Sequence, residues 1–238
     1  MLTIFALTNA KQAAQYYEKD NYYLQGSKEA VDKTHWWGRG AEKLGLKGYI
    51  DPAQFTQLLE GDLGGGVKLG RVRHDGGVEH KPGYDLTFSA PKSVSMLAEI
   101  GKDYRLHNAH NVAVNAALAY LQSSVALYRQ TRNAHTEVKQ ADNLIVGKFR
   151  HDTSRSVEDT IDCQLHTHCV VINATQGEDG QWRSLFEKPI FDFKMVGGMV
   201  YRSVLAKELK SLGYTIEKTR EDGLFEISGF KRDQIEAF

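Results

Sequence analysis

Apolar residues dominate Leu2 to Leu7, a short run that reads as a first strand. Asn9 is placed to cap a following helix that carries Gln12, Ala13, Tyr16 and Tyr17. The chain turns polar through Asp20, and Gly38, Gly40, Gly45 and Gly48 interrupt the next stretch. Asp51 to Glu60 reads as a short helix with Phe55, Leu58 and Leu59 inward. Gly61 to Gly77 is rich in glycine and is expected to form a mobile surface loop. Tyr84 to Phe88 alternates as a strand does, with Tyr84, Leu86 and Phe88 on one face and Asp85 and Thr87 on the other.

Ser89-Ala90-Pro91 reads as a helix start, with Ser89 as cap and the helix running to about Ile100. A long helix is expected from Leu106 to about Tyr128, with Val112, Ala116, Ala119 and Leu127 among its inward positions. Leu144 to His151 and Leu165 to Ala174 read as two strands, and Gly177 to Gly180 turns the chain towards Trp182, which suggests a meander. Met195 to Leu212 reads as a helix ending at Gly213, followed by a hairpin of Thr215 to Lys218 and Leu224 to Ile227 around Asp222-Gly223. Paired antiparallel strands with helices segregated from them define an α+β class.

Composition narrows this picture without redirecting it. With 238 residues, 41% hydrophobic and 25% charged, the chain is an ordinary globular protein, and one extended domain is expected. Thirty basic residues balance thirty acidic ones, which argues against a non-specific DNA coat and leaves room for a confined basic groove. No run of about 18 apolar residues spans a bilayer, and Met1 to Leu7 lacks the basic start and long apolar stretch of a signal peptide. No membrane insertion is expected and the chain reads as cytoplasmic. Cys163 and Cys169 are the only cysteines and read as free thiols.

Candidate chemistry begins with His166 and His168, two apart on an apolar strand, so that both imidazoles leave the same face. His151 ends the preceding strand, and an antiparallel neighbour brings it beside the pair, giving three nitrogen ligands with open metal positions. Such a metal polarises a phosphoryl oxygen and offsets charge developing in phosphoryl transfer. The remaining need is a nucleophile. Tyr16-Tyr17 and Tyr22-Tyr23 form two doublets, and consecutive helical residues diverge by about 100°, so a doublet does not bury both rings in one core. A phenol has a pKa of about 10 and needs help to lose its proton; Asp85 is the candidate to accept or orient it.

Together these segments resemble the N-terminal domain of the TrwC/TraI-type conjugative relaxases, the MobF family of HUH endonucleases. The matching runs are Tyr16-Tyr17 with Tyr22-Tyr23, Gly40-Ala41-Glu42-Lys43-Leu44-Gly45-Leu46, and Tyr84-Asp85-Leu86-Thr87-Phe88-Ser89-Ala90-Pro91-Lys92-Ser93-Val94-Ser95. His151-Asp152-Thr153-Ser154-Arg155 and Gln164-Leu165-His166-Thr167-His168 complete the series, in the family's order over almost the whole chain. Cys163 stands where a proline is usual, and Ser156 to Cys163 is longer than the family's pattern.

The resemblance implies a central antiparallel sheet of about five strands flanked by helices, with the ligand histidines on central strands and the tyrosines packed across them. It also implies cleavage of one DNA strand at the nic site of a transfer origin, leaving a 5′-phosphotyrosyl link and a free 3′-hydroxyl that can reverse the step. Tyr16 is the first choice of nucleophile and Tyr17 the next, with Tyr22 or Tyr23 serving a later cleavage. His151, His166 and His168 become ligands of one divalent metal, Mg or Mn in the cell, with Zn, Ni or Co possible in a sample. Asp85 activates or orients the phenol. Arg155, Arg183, Lys188, Lys194 and Arg202 are candidate DNA contacts. The implied partners are single-stranded origin DNA with an adjacent hairpin, relaxosome accessory proteins and a coupling protein; a monomer is expected. Residues 1–238 read as a relaxase domain that stops before the family's C-terminal DNA-clasping segment. The rivals are a rolling-circle replication initiator or transposase of the same superfamily, disfavoured because its tyrosine follows the histidine pair, and a non-enzymatic DNA-binding protein with a structural metal. The latter predicts sulfur ligation by Cys163 or Cys169.

Overall fold

The computed structural model describes residues 1–21, 33–72, 74, 78–153, 162–221 and 223–236. Five strands make the main sheet: β1 (Leu2–Leu7), β2 (Thr34–Trp37), β3 (Gly83–Ser89), β4 (Val146–Thr153) and β5 (Cys163–Ile172). Their order is β1-β3-β5-β4-β2, with every neighbouring pair antiparallel. The α+β class and the five-stranded sheet expected from the sequence are both present.

Alternation along β3 decides what each face of the sheet does. Tyr84, Leu86 and Phe88 point into the larger core, which they share with Leu2, Ile4, Leu165, Cys169 and Val171. That core is covered by α4 (Lys92–Glu99), α5 (Arg105–Ser124) and α7 (Lys194–Ser211), with α6 (Glu187–Asp192) adding Ile190. The other face carries Phe149, Val170 and Ile172 under α1 (Ala10–Asn21) and α3 (Pro52–Leu59), which contribute Ala13, Ala14, Tyr17, Phe55, Leu58 and Leu59. α2 (Arg39–Lys43) follows β2 and buries Ala41 in this second core. Phe88 is fully buried at the centre of the first core, and Phe88→Ala is expected to cost about 3–5 kcal/mol, read as a lower urea midpoint.

Two helix starts follow the sequence signals. Asn9 accepts the Gln12 amide at 3.0 Å and Asp51 accepts the Gln54 amide at 2.8 Å. A third start does not. Ser89 stays in β3, Pro91 takes the cap position of α4, and no side chain caps it from that position. The Glu226 carboxylate instead accepts the Ser93 amide at 2.8 Å, so a hairpin distant in sequence satisfies the helix end.

Other expectations are corrected. α5 ends at Ser124, and Leu127–Arg132 pairs with His135–Gln140 as a hairpin. The buried face of α5 is Leu106, Ala109, His110, Ala113, Val114, Ala117, Leu118, Leu121 and Gln122; Val112 and Ala116 are only half-buried, and Ala119 is exposed. The glycine-rich stretch after Gly61 is not featureless: Asp62–Gly64 pairs with Val67–Lys68, and Arg71–Val72 pairs with Val78–Glu79. The Ile216–Lys218 and Phe225–Ile227 hairpin forms as expected, although Asp222 of its turn lies outside the described residues.

Candidate active site

The register of β4 on β5 sets His151 directly opposite His166. His166 and His168 leave β5 on the face covered by α1, so the three imidazoles meet there. Their ring centroids are 5.1 Å, 5.2 Å and 5.1 Å apart, and one donor atom from each lies within 4.8 Å of the others. Burial lowers the His151 pKa to about 3, with His168 and His166 adding to the shift, and burial also lowers that of His166. All three residues supply imidazole nitrogens, and neutral imidazoles in a triangle of this size suit a divalent metal.

Hydrogen bonds fix which ring nitrogen two of the three imidazoles keep unprotonated. His166 Nδ1 lies 2.7 Å from the Gln164 carbonyl, which only accepts, so Nδ1 carries the proton and Nε2 keeps its lone pair. His168 Nδ1 likewise donates to Asp85 Oδ2 at 2.8 Å. A carboxylate behind a histidine holds the ring's orientation and raises its basicity as a ligand. Thr87 Oγ1 stands 3.1 Å from His168 Nδ1 and 3.3 Å from Asp85 Oδ1, tying the three side chains together. Thr87 was not singled out as a site residue, although strand alternation already put it on the face of Asp85.

The first tyrosine doublet packs against this cluster and its two rings are treated differently. Tyr17 is 3% exposed, stacked on Phe149 at 4.8 Å and edge-on to Phe55 at 6.1 Å. Burial drives its pKa far above the ordinary phenol value, and the Asp85 charge and a hydrogen bond to that carboxylate add to the shift. Tyr16 is half-buried, with its ring centroid 5.8 Å from His168 and 5.0 Å from Tyr17. The doublet thus divides between an anchored phenol and a more accessible one. Tyr22 and Tyr23 lie outside the described residues, as does Arg155.

The remaining basic candidates do not converge on the histidines. Arg183 binds Asp179 through both guanidinium ends, at 2.8 and 2.6 Å, and lies over the Tyr128 ring. Lys188 pairs with Asp192 at 2.5 Å. Lys188 lies on α6, whose Phe191 meets Tyr84, and Arg183 pairs with Thr175 just past β5, so both sit towards the Gly83 end of β3, about 20 Å along the strand from the Ser89 end, where His166 pairs. Lys194 is exposed and Arg202 half-buried on α7, across the sheet from the tyrosines. The two cysteines do not join the cluster: Cys169 is fully buried in the opposite core, and neither sulfur belongs to the histidine group.

Acid should loosen this fold. His110, wholly buried between Tyr201 Oη at 2.7 Å and Thr167 Oγ1 at 2.9 Å, has its pKa pushed well below normal by burial. With His151 and His166 it resists protonation in the folded state, whereas the unfolded chain binds those protons below a pH of about 6.5. Stability is therefore complete above that pH and falls as pH drops from there towards about 3, where His151 itself titrates. The loss should reach at most about 1.4 kcal/mol per pH unit for each histidine, measured by urea unfolding of metal-free protein at pH 7 and pH 5.

An antiparallel sheet holding a histidine triad beneath a helix-borne tyrosine is the arrangement of the HUH endonuclease class. Within that class the chain belongs to the TrwC relaxase family, whose sequence profile matches residues 10–238. It is 42% identical over 248 residues to the multifunctional conjugation protein TraI of Escherichia coli (strain K12), a match covering 100% of this chain and 13% of that protein. The chain thus spans about an eighth of the length of the curated relatives it matches. Among solved structures it resembles TrwC complexed with a 27-mer DNA comprising the recognition hairpin and the cleavage site. That match has a TM-score of 0.85 and 39% identity, covering 100% of this chain and 78% of the other. Metal-bound TrwC in complex with oriT DNA gives a TM-score of 0.86 at 40% identity, covering 100% and 79%.

Proposed function

We propose that this chain is a conjugative relaxase unit that cleaves and rejoins one DNA strand at the nic site of a transfer origin. The observation that carries the reading is the half-buried Tyr16 against a triangle of three imidazoles backed by Asp85. Tyr16 Oη attacks the scissile phosphorus, a P–O bond to tyrosine forms, and the bond to the 3′ oxygen breaks. The products are a 5′-phosphotyrosyl strand and a free 3′-hydroxyl. Because one phosphoester replaces another, the 3′-hydroxyl can reverse the step without a nucleotide cofactor.

His151, His166 and His168 would hold one divalent metal, which supplies Lewis-acid polarisation of the scissile phosphate when bound. Mg or Mn is the expected ion in the cell, with Zn, Ni or Co as alternatives in purified protein. The chain's own residues do the rest. Asp85 fixes the His168 ring and takes the Tyr17 hydroxyl, and Tyr17 wedges the helix against Phe149 so that Tyr16 faces the histidines. Tyr22 or Tyr23 would serve a second cleavage. Arg155, Arg183, Lys188, Lys194 and Arg202 would contact phosphates of the single strand and its hairpin. The separation of Arg183 and Lys188 from the histidines suits an extended DNA ligand. Relaxosome proteins and a coupling protein would be its partners, and residues 1–238 would act as one relaxase domain.

The test uses fluorescent single-stranded oligonucleotides spanning candidate transfer origins, with Mg or Mn and then with EDTA. A protein-DNA band that survives denaturing electrophoresis and disappears in EDTA is expected. Metal binding with no such band on any cognate origin would leave a DNA-binding metalloprotein.

A further inference from the structure

On the face of the sheet turned away from the tyrosines, a cleft of about 370 Å³ opens between α5 and the strands β2 and β4. Strand alternation builds it. Phe149 and His151 face α1, so Lys148 and Arg150 face the other way, and Thr167 does the same between His166 and His168. Lys33 closes one side, and Asn108 and Asn111 of α5 the other.

One buried charge in this cleft has no carboxylate among the described residues. Lys148 is 1% exposed, and its ammonium is met by the Asn111 and Asn115 carboxamide oxygens, each at 2.6 Å. Asp152 is shared between Lys33 at 2.8 Å and Arg150 at 3.3 Å, while Glu99 is engaged by His107 at 2.6 Å. Among the described residues, Asp152 thus serves both Lys33 and Arg150, Lys148 has no carboxylate, and no acidic residue lines the cleft. The positive potential is felt nearby: burial, then Lys148 and Arg150, lower the His35 pKa to about 4. A buried ammonium solvated by neutral amides is a costly element unless an anion offsets it. Asn111 has committed its oxygen to Lys148, which leaves its NH2 group as a donor. At the rim Tyr104 is 57% exposed, its ring 5.6 Å from that of His107, a surface on which a base can stack.

We propose that this cleft binds a nucleotide unit by its phosphate, held by Lys33, Lys148 and Arg150, with the base against Tyr104. The phosphate belongs either to a free mononucleotide or to a DNA strand passing behind the sheet. The site is across the sheet from the tyrosines, so the proposal stands or falls independently of strand cleavage.

The probes are inorganic phosphate and deoxyadenosine 5′-monophosphate, titrated into the EDTA-treated protein at low salt and followed by NMR shifts and calorimetry. Both are expected to saturate one site. Arg150→Gln should weaken both by at least about tenfold, the loss of roughly one charge-assisted contact. Tyr104→Ala should weaken the nucleotide and spare phosphate. Lys148→Met removes the buried charge, and Arg150→Gln keeps the test decisive if that variant does not fold. An unlabelled single strand that excludes the nucleotide assigns the cleft to DNA backbone, whereas simultaneous binding assigns it to a free nucleotide. Absence of saturable binding, or affinity unchanged in Arg150→Gln, would overturn the proposal.

Discussion

Tyr16→Phe should keep the fold and the metal and lose covalent attachment to DNA by at least about 10³-fold, the scale expected when a nucleophile is deleted. The substitution removes one oxygen from a half-buried ring and leaves its edge contact with Tyr17 in place. Tyr17→Phe should behave differently. Its hydroxyl is buried, its proton is held by Asp85, and its pKa is driven up by burial, so it is poorly placed to ionise. Losing that hydroxyl should cost about 1–3 kcal/mol of stability, because a buried carboxylate loses a donor, while adduct formation persists at a reduced rate. Measuring adduct yield and urea midpoint for both variants separates the roles: Tyr16 moves the first and Tyr17 mainly the second.

Asp85→Ala should lower metal affinity about 10–100-fold without touching a ligand atom. The carboxylate accepts from His168 Nδ1 and from Tyr17, so its removal strands two buried donors and frees the His168 ring to rotate or change tautomer. Competition between Mn and a fluorescent chelator reads the loss directly. An affinity equal to the parent's would mean that Thr87 or packing alone orients the ring.

Most of this centre was legible because it follows from a period of two. His166 and His168 share a face by spacing, Asp85 and Thr87 share one by the same rule, and the three-histidine cluster needs only β4 to pair antiparallel with β5. The long helix was harder to read. α5 has alanine or valine on several sides, so apolar periodicity marks no single face. Its true inner face includes His110 and Gln122, which are tolerated because Tyr201, Thr167 and the Arg39 and Leu144 amides satisfy them. The hairpin after it was hidden by its turn. Asn133 and Ala134 both take positive φ, 49° and 62°, and an alanine in the second place masks the asparagine-glycine signal such turns usually carry. β2 was missed as well, since its four residues follow a polar stretch, stop at Gly38 and are recognisable as a strand only through pairing with Val146–Phe149. The basic cleft behind the sheet was invisible from spacing alone: Lys33 is brought to Lys148 and Arg150 only by the pairing of distant segments.

Localising the covalent link tests the central claim most directly. After reaction with a cognate strand and nuclease trimming, trypsin releases the peptide Gln12–Lys19, which contains the first doublet, and fragmentation assigns the attached nucleotide. The account predicts a phosphodiester on Tyr16 that forms with Mn and not with EDTA. A nucleotide on any residue other than Tyr16, or a cleaved strand with a free 5′-phosphate and no attached peptide, would contradict it.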